Sequence, residues 1–276
     1  MDKKLLSPTY LKELCAQYRL TPSKQYGQNY LIQSSPIEKM VAAAEIDADD
    51  MIVEIGPGFG VLTFALLDSA QHVLAFEIEK KLQAYWDEHE KNHKNLKVIW
   101  GNALTTLPKY IEKDASYKLV ANLPYQITSH VLRTMLELDN KPKCIVIMVQ
   151  KEVAERMCAK KGDMSVLSVS VQYYSTPRIV TKVKAGSFWP APKVDSAVIS
   201  LTDIKKNTPE DEQFFQIVRA GFSSKRKQLV RNLVNTLHIP EEKVREVLMT
   251  VMNNDRVRAQ ELSVEDWKKV VCMLHD

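Results

Sequence analysis

The stretch VEIGPGFGVLT, residues 53–63, carries a short apolar run into a helical pattern through three glycines. The run it closes, MIVEIG (51–56), is brief, continuous and rich in β-branched residues, which predicts a strand buried on both faces. Gly56, Gly58 and Gly60 let the backbone turn tightly and approach a ligand closely, as dinucleotide loops do. Their spacing is G-x-G-x-G, not G-x-G-x-x-G, and an ordinary strand-to-helix turn also uses glycine. The loop alone therefore names no chemistry. It decides the fold because the strand-then-helix rhythm around it repeats.

Outward from it, HVLAFEI (72–78), LKVIW (96–100), YKLVAN (117–122) and CIVIMVQ (144–150) read as further buried strands. Between them VLTFALLDS (61–69), KKLQAYWDEHEKN (80–92) and ITSHVLRTMLEL (127–138) read as helices, and SPTYLKELCAQY (7–18) reads as a helix with Pro8 near its start. Repeated β-α units predict a mostly parallel, doubly wound sheet covered on both faces. After residue 150 a helix pair, KEVAERMCAK (151–160) and SVLSVSVQYYS (165–175), precedes two extended pieces, RIVTKVK (178–184) and SAVISLT (196–202). These can add strands at one edge of the sheet, one of them antiparallel. KKNTPEDEQ (205–213) is polar and contains Pro209, so it marks a boundary. Every later segment is amphipathic and strand-free. The organisation expected is an α/β domain over residues 1–206 and a small all-helical domain over 207–276.

At 276 residues, 45% hydrophobic and 26% charged, the chain is an ordinary globular one, and its formal charge of +4 permits a polyanionic partner without demanding it. Cys15, Cys144, Cys158 and Cys272 are too scattered for a Cys-x-x-Cys clamp, and nothing upstream resembles a secretory signal; a reducing, cytoplasmic compartment is expected. His89 and His93 have i,i+4 spacing, but no acidic base or third ligand accompanies them, so no metal is expected. No apolar run approaches the roughly 20 residues that cross a bilayer.

Glu77 closes the second β-α strand about twenty residues after the glycine loop, where a carboxylate can accept from both hydroxyls of a ribose. WGNAL (100–104) puts the amide of Asn102 at the end of the third, within reach of an adenine amino group. These loops lie at the carboxyl ends of adjacent strands, where open α/β sheets bind ligands. A nicotinamide enzyme satisfies the same pattern. The loop after the fourth strand, VANLPYQITS (120–129), shifts the balance. Asn122 and the carbonyls of Leu123 and Pro124 can accept from an exocyclic amine, Pro124 holds the backbone rigid, and Tyr125 can stack on the ring that carries the amine. Stacking of an aromatic side chain on a base contributes about 1–3 kcal/mol. No Ser-His-Asp set, Cys-His pair or metal cluster is evident, and none is required if the electrophile is already activated, as the sulfonium methyl of S-adenosylmethionine is. Catalysis then consists of placing amine and methyl in line.

YGQNYLI (26–32), VEIGPGFGVLT, ANLPYQIT (121–128), VQKEVAERM (149–157), SFWPAPKVDSAV (187–198) and FSSKRKQLVRNL (222–233) together resemble, in order, the motifs of the small-subunit (16S-type) ribosomal RNA adenine-N6,N6-dimethyltransferase family. The likeness runs from about Lys24 to Ser263. It implies a Rossmann-like class I S-adenosylmethionine-dependent methyltransferase domain with a helical C-terminal RNA-binding domain. It also implies methylation of two adjacent adenosines near the 3′ end of small-subunit rRNA. The resemblance assigns cofactor contacts to Asn29, Leu31, Gly56, Gly58, Glu77, Asn102 and Asn122, and the amine clamp to Asn122, Leu123, Pro124 and Tyr125. Phe188 would be the second aromatic face; the alternative, that Phe188 and Trp189 are core residues at a strand edge, is disfavoured by the two prolines that rigidify this loop. Asn102 stands where the family commonly has Asp, Ala121 replaces a Gly or Ser, and Ser165 stands where Gly is usual.

The target adenine must be unpaired or flipped to reach a buried methyl, so RNA affinity rests on other contacts. Arg219, Lys225, Arg226, Lys227 and Arg231 form a cationic run without an acidic residue in what reads as a helix start. A charge run is usually a solvated face, but SSKRKQ would also set hydroxyls, amides and cations around a phosphate. Lys24, Arg178, Lys182 and Lys184 would extend this track. The partner implied is small-subunit rRNA within a 30S-type assembly intermediate, bound by a monomer with no membrane attachment. Two alternatives stand beside this: a non-catalytic RNA-binding assembly or transcription factor on the same fold, and a resistance-type methyltransferase of large-subunit rRNA. The extended helical C-terminus and PAPKVDSAV argue against the latter.

Overall fold

The computed structural model describes residues 3–22, 29–111 and 115–275. A 3-10 turn at Lys3–Leu6 leads into α1 (Pro8–Gln17), whose Ser7 cap accepts from the Tyr10 N–H and whose first residue is the proline that a helix tolerates there. Then come β1 (Tyr30–Leu31), α2 (Ser34–Ala43), β2 (Met51–Ile55), α3 (Thr63–Leu67), β3 (His72–Glu77), α4 (Gln83–Asn92), β4 (Leu96–Trp100) and α5 (Ala103–Thr106). They are followed by β5 (Tyr117–Asn122), α6 (Thr128–Glu137), β6 (Ile145–Gln150), α7 (Lys151–Met157), α8 (Val166–Tyr174), β7 (Thr176–Val183), β8 (Phe188–Trp189) and β9 (Ser196–Thr202). Four helices close the chain: α9 (Asp211–Gly221), α10 (Leu229–Leu237), α11 (Glu241–Met252) and α12 (Val264–His275).

The seven-stranded sheet has the order β4-β3-β2-β5-β6-β9-β7. Strands β2 to β6 are mutually parallel, and β9 runs antiparallel to both β6 and β7. Central strands β5 and β6 are buried along nearly their whole length, which is why they read as unbroken apolar runs without alternation. The connections leave β2 toward β3 and β4 on one side, and the later chain lays β5 and β6 on the other. That reversal opens a crevice at the carboxyl ends of β2 and β5. A two-stranded ladder, β1 with β8, pairs Tyr30 with Trp189 and Leu31 with Phe188.

The chain divides into two compact units, one of residues 1–154 and 176–204, the other of 155–175 and 205–276. This corrects the expected division at residue 206, because 155–175 packs with the C-terminal helices. Tyr173 stacks on Phe214 at 4.2 Å between ring centroids. The Tyr173 and Tyr174 hydroxyls both donate to Asp211, and the Gly162 N–H donates to the Gln260 carbonyl. The polar linker at 205–213 marks only one of three crossings. Another falls inside α7, and the third lies between α8 and β7, at neither of which a polar linker appears. Ser165 caps α8 at φ −143°, extended backbone that any residue adopts, and it shares a capping box with Ser168. Serine is therefore well suited where the family pattern has glycine.

Candidate active site

The first unit encloses a cavity of about 350 Å³ at the carboxyl ends of β2, β3, β4 and β5. Asn29, Leu31, Gly56, Gly58, Glu77, Asn102, Asn122, Leu123, Pro124, Tyr125 and Phe188 all line it, so every described cofactor and clamp residue expected from the sequence meets in one place. Lys24 lies outside the described residues.

The glycine loop is built from both sides. Gly60 has φ +85°, and a Cβ there would fall 2.7 Å from the Phe64 ring and 2.8 Å from Trp86. Only glycine fits that turn. From α4, the Trp86 indole N–H donates to the Gly58 carbonyl at 3.0 Å and the Tyr85 hydroxyl to the Phe59 carbonyl at 2.8 Å. Both loop carbonyls are thereby turned toward the helix layer.

Glu77 is 5% exposed. Its Oε1 accepts the N–H groups of Ile78 (2.7 Å) and Glu79 (2.8 Å), and Oε2 accepts that of Gly58 (3.2 Å). Three of the roughly four acceptor positions of a carboxylate are thus already engaged. Burial pushes its pKa up, and the three backbone amides pull against that shift. Next to this buried carboxylate Ile78 is 55% exposed on the same cavity. A hydrogen-bond acceptor beside an uncovered apolar surface suits a hydroxylated ring followed by a flat apolar one, the order of ribose and adenine. Asn102 caps α5, its Oδ1 accepting the Leu104 N–H at 3.0 Å. An amide side chain has a second lone pair on its oxygen and an NH₂ donor besides this bond.

Asn122 ends β5, and Leu123 and Pro124 lead into a 3-10 turn over Tyr125–Ile127. The Pro124 carbonyl accepts the Ile127 N–H at 3.1 Å and the Thr128 hydroxyl at 3.4 Å. The first of these draws the Pro124 carbonyl, expected from the sequence to receive an amine, into the following turn. The Tyr125 ring is half-buried, and its hydroxyl hydrogen-bonds the Ser196 hydroxyl at 2.6 Å. Phe188 is 3% exposed and packs into the hydrophobic core while also lining the cavity, so the core and pocket readings of this residue both hold.

Glu54, Ile78, His130 and the N-terminal residues Leu5 and Leu11 also line the cavity and were not singled out in the sequence. Glu54 is 1% exposed. Burial raises its carboxyl to about 8, with the charge of Glu77 adding to the shift. Its Oε2 and the Thr63 hydroxyl both lack a partner of hydrogen-bond geometry, although the hydroxyl is near enough to oppose that rise. A carboxylate inside an apolar strand was the available signal, the same one that marks Glu77.

In the second unit Arg219, Lys225, Arg226, Lys227 and Arg231 are all exposed. Helix α10 begins at Leu229, so Lys225, Arg226 and Lys227 lie on the turn before it, not in its first helical turn as expected. Asn232, 3% exposed, donates through Nδ2 to the carbonyls of Gly221 (2.6 Å) and Ser224 (3.0 Å), and the Leu229 N–H bonds the Val257 carbonyl. Among the described residues no group of three His, Cys, Asp or Glu side chains could hold a metal ion, and no helix is long and apolar enough to cross a membrane.

A parallel sheet with one antiparallel strand near its edge, a glycine loop after its first central strand and a carboxylate ending the next define a class I S-adenosylmethionine-dependent methyltransferase. Residues 20–276 match the ribosomal RNA adenine dimethylase family. The ribosomal RNA small subunit methyltransferase A of Dehalococcoides mccartyi is 41% identical over 268 residues, covering 94% of this chain and 90% of that protein. Its namesake from Leuconostoc mesenteroides is 36% identical over 284 residues, covering 99% and 96%. Among solved structures, a dimethyladenosine transferase from Plasmodium falciparum shares 29% identity at a TM-score of 0.73, covering 87% of this chain and 95% of that one. The 23S rRNA methyltransferase ErmE shares 25% at a TM-score of 0.73, covering 89% and 99%. The chain belongs to the ribosomal RNA adenine dimethylase family.

Proposed function

We propose that this protein transfers methyl groups to N6 of two adjacent adenosines near the 3′ end of small-subunit rRNA, producing N6,N6-dimethyladenosines, and acts as a cytoplasmic monomer on a 30S-type assembly intermediate. The observation that carries the reading is the convergence of Glu77, Asn102, Asn122, Leu123, Tyr125 and Phe188 on one cavity. S-adenosylmethionine supplies a sulfonium methyl that is electrophilic without further activation.

The chain's own residues hold and orient. Asn29, Leu31, Gly56 and Gly58 bound the cavity beside the glycine loop and would hold the amino-acid end of the cofactor. Glu77 would accept from ribose, and Ile78 and Asn102 would receive adenine. The amide oxygen of Asn122 and the carbonyl of Leu123 would accept the two N6 hydrogens of the target, which disfavours delocalisation of its lone pair into the ring. With its own carbonyl committed to the following turn, Pro124 stiffens the loop, while Tyr125 and Phe188 wall the base. Proximity and orientation supply most of the rate. The basic turn before α10 would bind phosphates and so add affinity without reading sequence.

The relatives named above as small-subunit methyltransferases are 36–41% identical, against 25% for the 23S enzyme. A complete set of polar cavity residues also argues against a factor that never turns over. The test is incubation with a labelled methyl donor and purified small or large ribosomal subunits. Label in small-subunit rRNA is expected. Label in the large subunit, or tight binding to small subunits without dimethyladenosine, would contradict the proposal.

A further inference from the structure

We infer that the dipeptide Asp195-Ser196 positions both aromatic walls of the target-base pocket, Tyr125 through one side chain and Phe188 through the other; this rests on the function proposed above. Ser196 is fully buried at the start of β9, in register with Gln150 of β6 and Val183 of β7. Held by strands on both sides, its hydroxyl is a fixed anchor for the Tyr125 hydroxyl 2.6 Å away. The bond lies at the far end of the phenol ring, where a tether most restricts swinging about the side-chain torsions.

Successive residues of an extended chain project to opposite sides. Asp195, one position earlier, turns instead to the preceding loop. Its Oδ1 accepts the Ala185 N–H at 3.0 Å, and its Oδ2 pairs with the Lys184 ammonium at 3.0 Å. Its carbonyl accepts the Lys151 N–H at 3.0 Å, tying the dipeptide to the end of β6 as well. Ala185 opens a 3-10 turn, Ala185–Ser187, that runs directly into Phe188. At the far end of that turn the Ser187 carbonyl accepts the Ile32 N–H at 2.8 Å, and the Ser187 hydroxyl donates to Gln33 Oε1 at 2.8 Å. Phe188 is thereby pinned from both directions. Elsewhere on the chain Tyr125 and Phe188 are about sixty residues apart. The two residues Asp195 and Ser196 give them a common reference, and a pocket that must present N6 in line with a methyl depends on the angle between its walls.

Tyr125→Ala, Tyr125→Phe, Ser196→Ala and the Tyr125→Phe/Ser196→Ala double variant are compared in the full-length protein. Readouts are kcat and KM on small subunits, cofactor Kd and Tm. Tyr125→Ala should abolish turnover. Ser196→Ala and Tyr125→Phe should each lower kcat roughly tenfold, as loss of one orienting hydrogen bond does, with cofactor Kd unchanged and no further loss in the double variant. Asp195→Ala should lower kcat similarly, and Asp195→Asn, which keeps an acceptor for the Ala185 N–H, should recover most of it. If Tyr125→Ala abolishes turnover while the Ser196, Tyr125→Phe and Asp195 variants lower only Tm and leave kcat parental, the base-wall reading stands and this inference is overturned. Losses that multiply in the double variant also overturn it. If Tyr125→Ala turns over at the parental rate, the base-wall reading itself fails and takes the inference with it. Should Ser196→Ala not fold, Tyr125→Phe removes the same bond from the other side and decides the matter.

Discussion

Glu77 Oε2 accepts the Gly58 N–H at 3.2 Å, so the carboxylate that ends β3 also ties down the glycine loop that follows β2. With the Ile78 and Glu79 amides on Oε1, it holds the mouths of two neighbouring strands together. If Glu77 accepts two ribose hydroxyls as proposed, it must release an amide, and the Gly58 bond is the longest of the three. Hydrogen bonds to a charged group are worth about 1.5–3 kcal/mol each. Glu77→Gln, which places an NH₂ against backbone donors, should weaken cofactor binding about 10- to 100-fold and also lower the Tm of the cofactor-free protein. Calorimetric titration and thermal melts check both. A loss of affinity at unchanged Tm would show that the loop does not depend on Glu77.

Glu54 gives a pH dependence of definite sign. Its carboxyl is raised from 4.5 to about 8, chiefly by burial. Below pH 4.5 it is protonated whether the chain is folded or not; above that the unfolded chain releases the proton while the folded one keeps it. The contribution of Glu54 to stability therefore falls as pH rises to about 8 and changes little beyond, by an amount on the order of a few kcal/mol. Glu54→Gln cannot titrate. The difference in Tm between this variant and wild type should move in the variant's favour from pH 5 to pH 8, and a difference that stays constant over that range contradicts the raised carboxyl.

Asn232 organises the cationic turn of the second unit. Its two hydrogen bonds to the Gly221 and Ser224 carbonyls fold the chain immediately before Lys225, Arg226 and Lys227. Asn232→Ala should weaken RNA binding although no charge is lost, and should cost about 1–3 kcal/mol of stability through the buried Gly221 carbonyl that loses its side-chain donor, the Ser224 carbonyl keeping the Lys227 N–H. The triple variant Lys225→Ala/Arg226→Ala/Lys227→Ala should reduce the steepness of log Kd against log salt by about 2 to 3, since each phosphate contact contributes 0.7–0.9. An unchanged slope places the RNA elsewhere.

Where the chain announces itself by burial, the sequence was legible to the residue. LKVIW, YKLVAN and SAVISLT coincide with β4, β5 and β9 because short runs dominated by buried apolar residues have sharp limits. Glu77, Asn102 and Asn122 were legible as polar groups at strand ends, and the topology brings those ends together. Pairings that depend on distant partners were not: β1 and β8 are two residues each and exist only through one another. The start of α10 moved past Lys225 because a charge run does not reveal the turn that Asn232 imposes. The Pro124 carbonyl looked available because its bond to Ile127 belongs to a 3-10 turn that the residue types do not betray. Ile78 was read as the last residue of a strand, and only the geometry shows it uncovered beside Glu77.

Asn122→Ala probes the clamp. Its side chain would supply one of two acceptors for the amine, and losing an oriented electrostatic contact of this kind lowers kcat about 10²- to 10³-fold. Cofactor-binding calorimetry should show a smaller change, and a parental methylation rate in this variant would show that the clamp is misassigned.

The proposed function stands on the product and its place in the rRNA. Mass spectrometry of small- and large-subunit rRNA from cells with and without this protein reports both at once. N6,N6-dimethyladenosine is expected at two adjacent positions near the 3′ end of the small-subunit rRNA, present only when the protein is. Identical dimethyladenosine in both samples, or a protein-dependent mark confined to large-subunit rRNA, would contradict it.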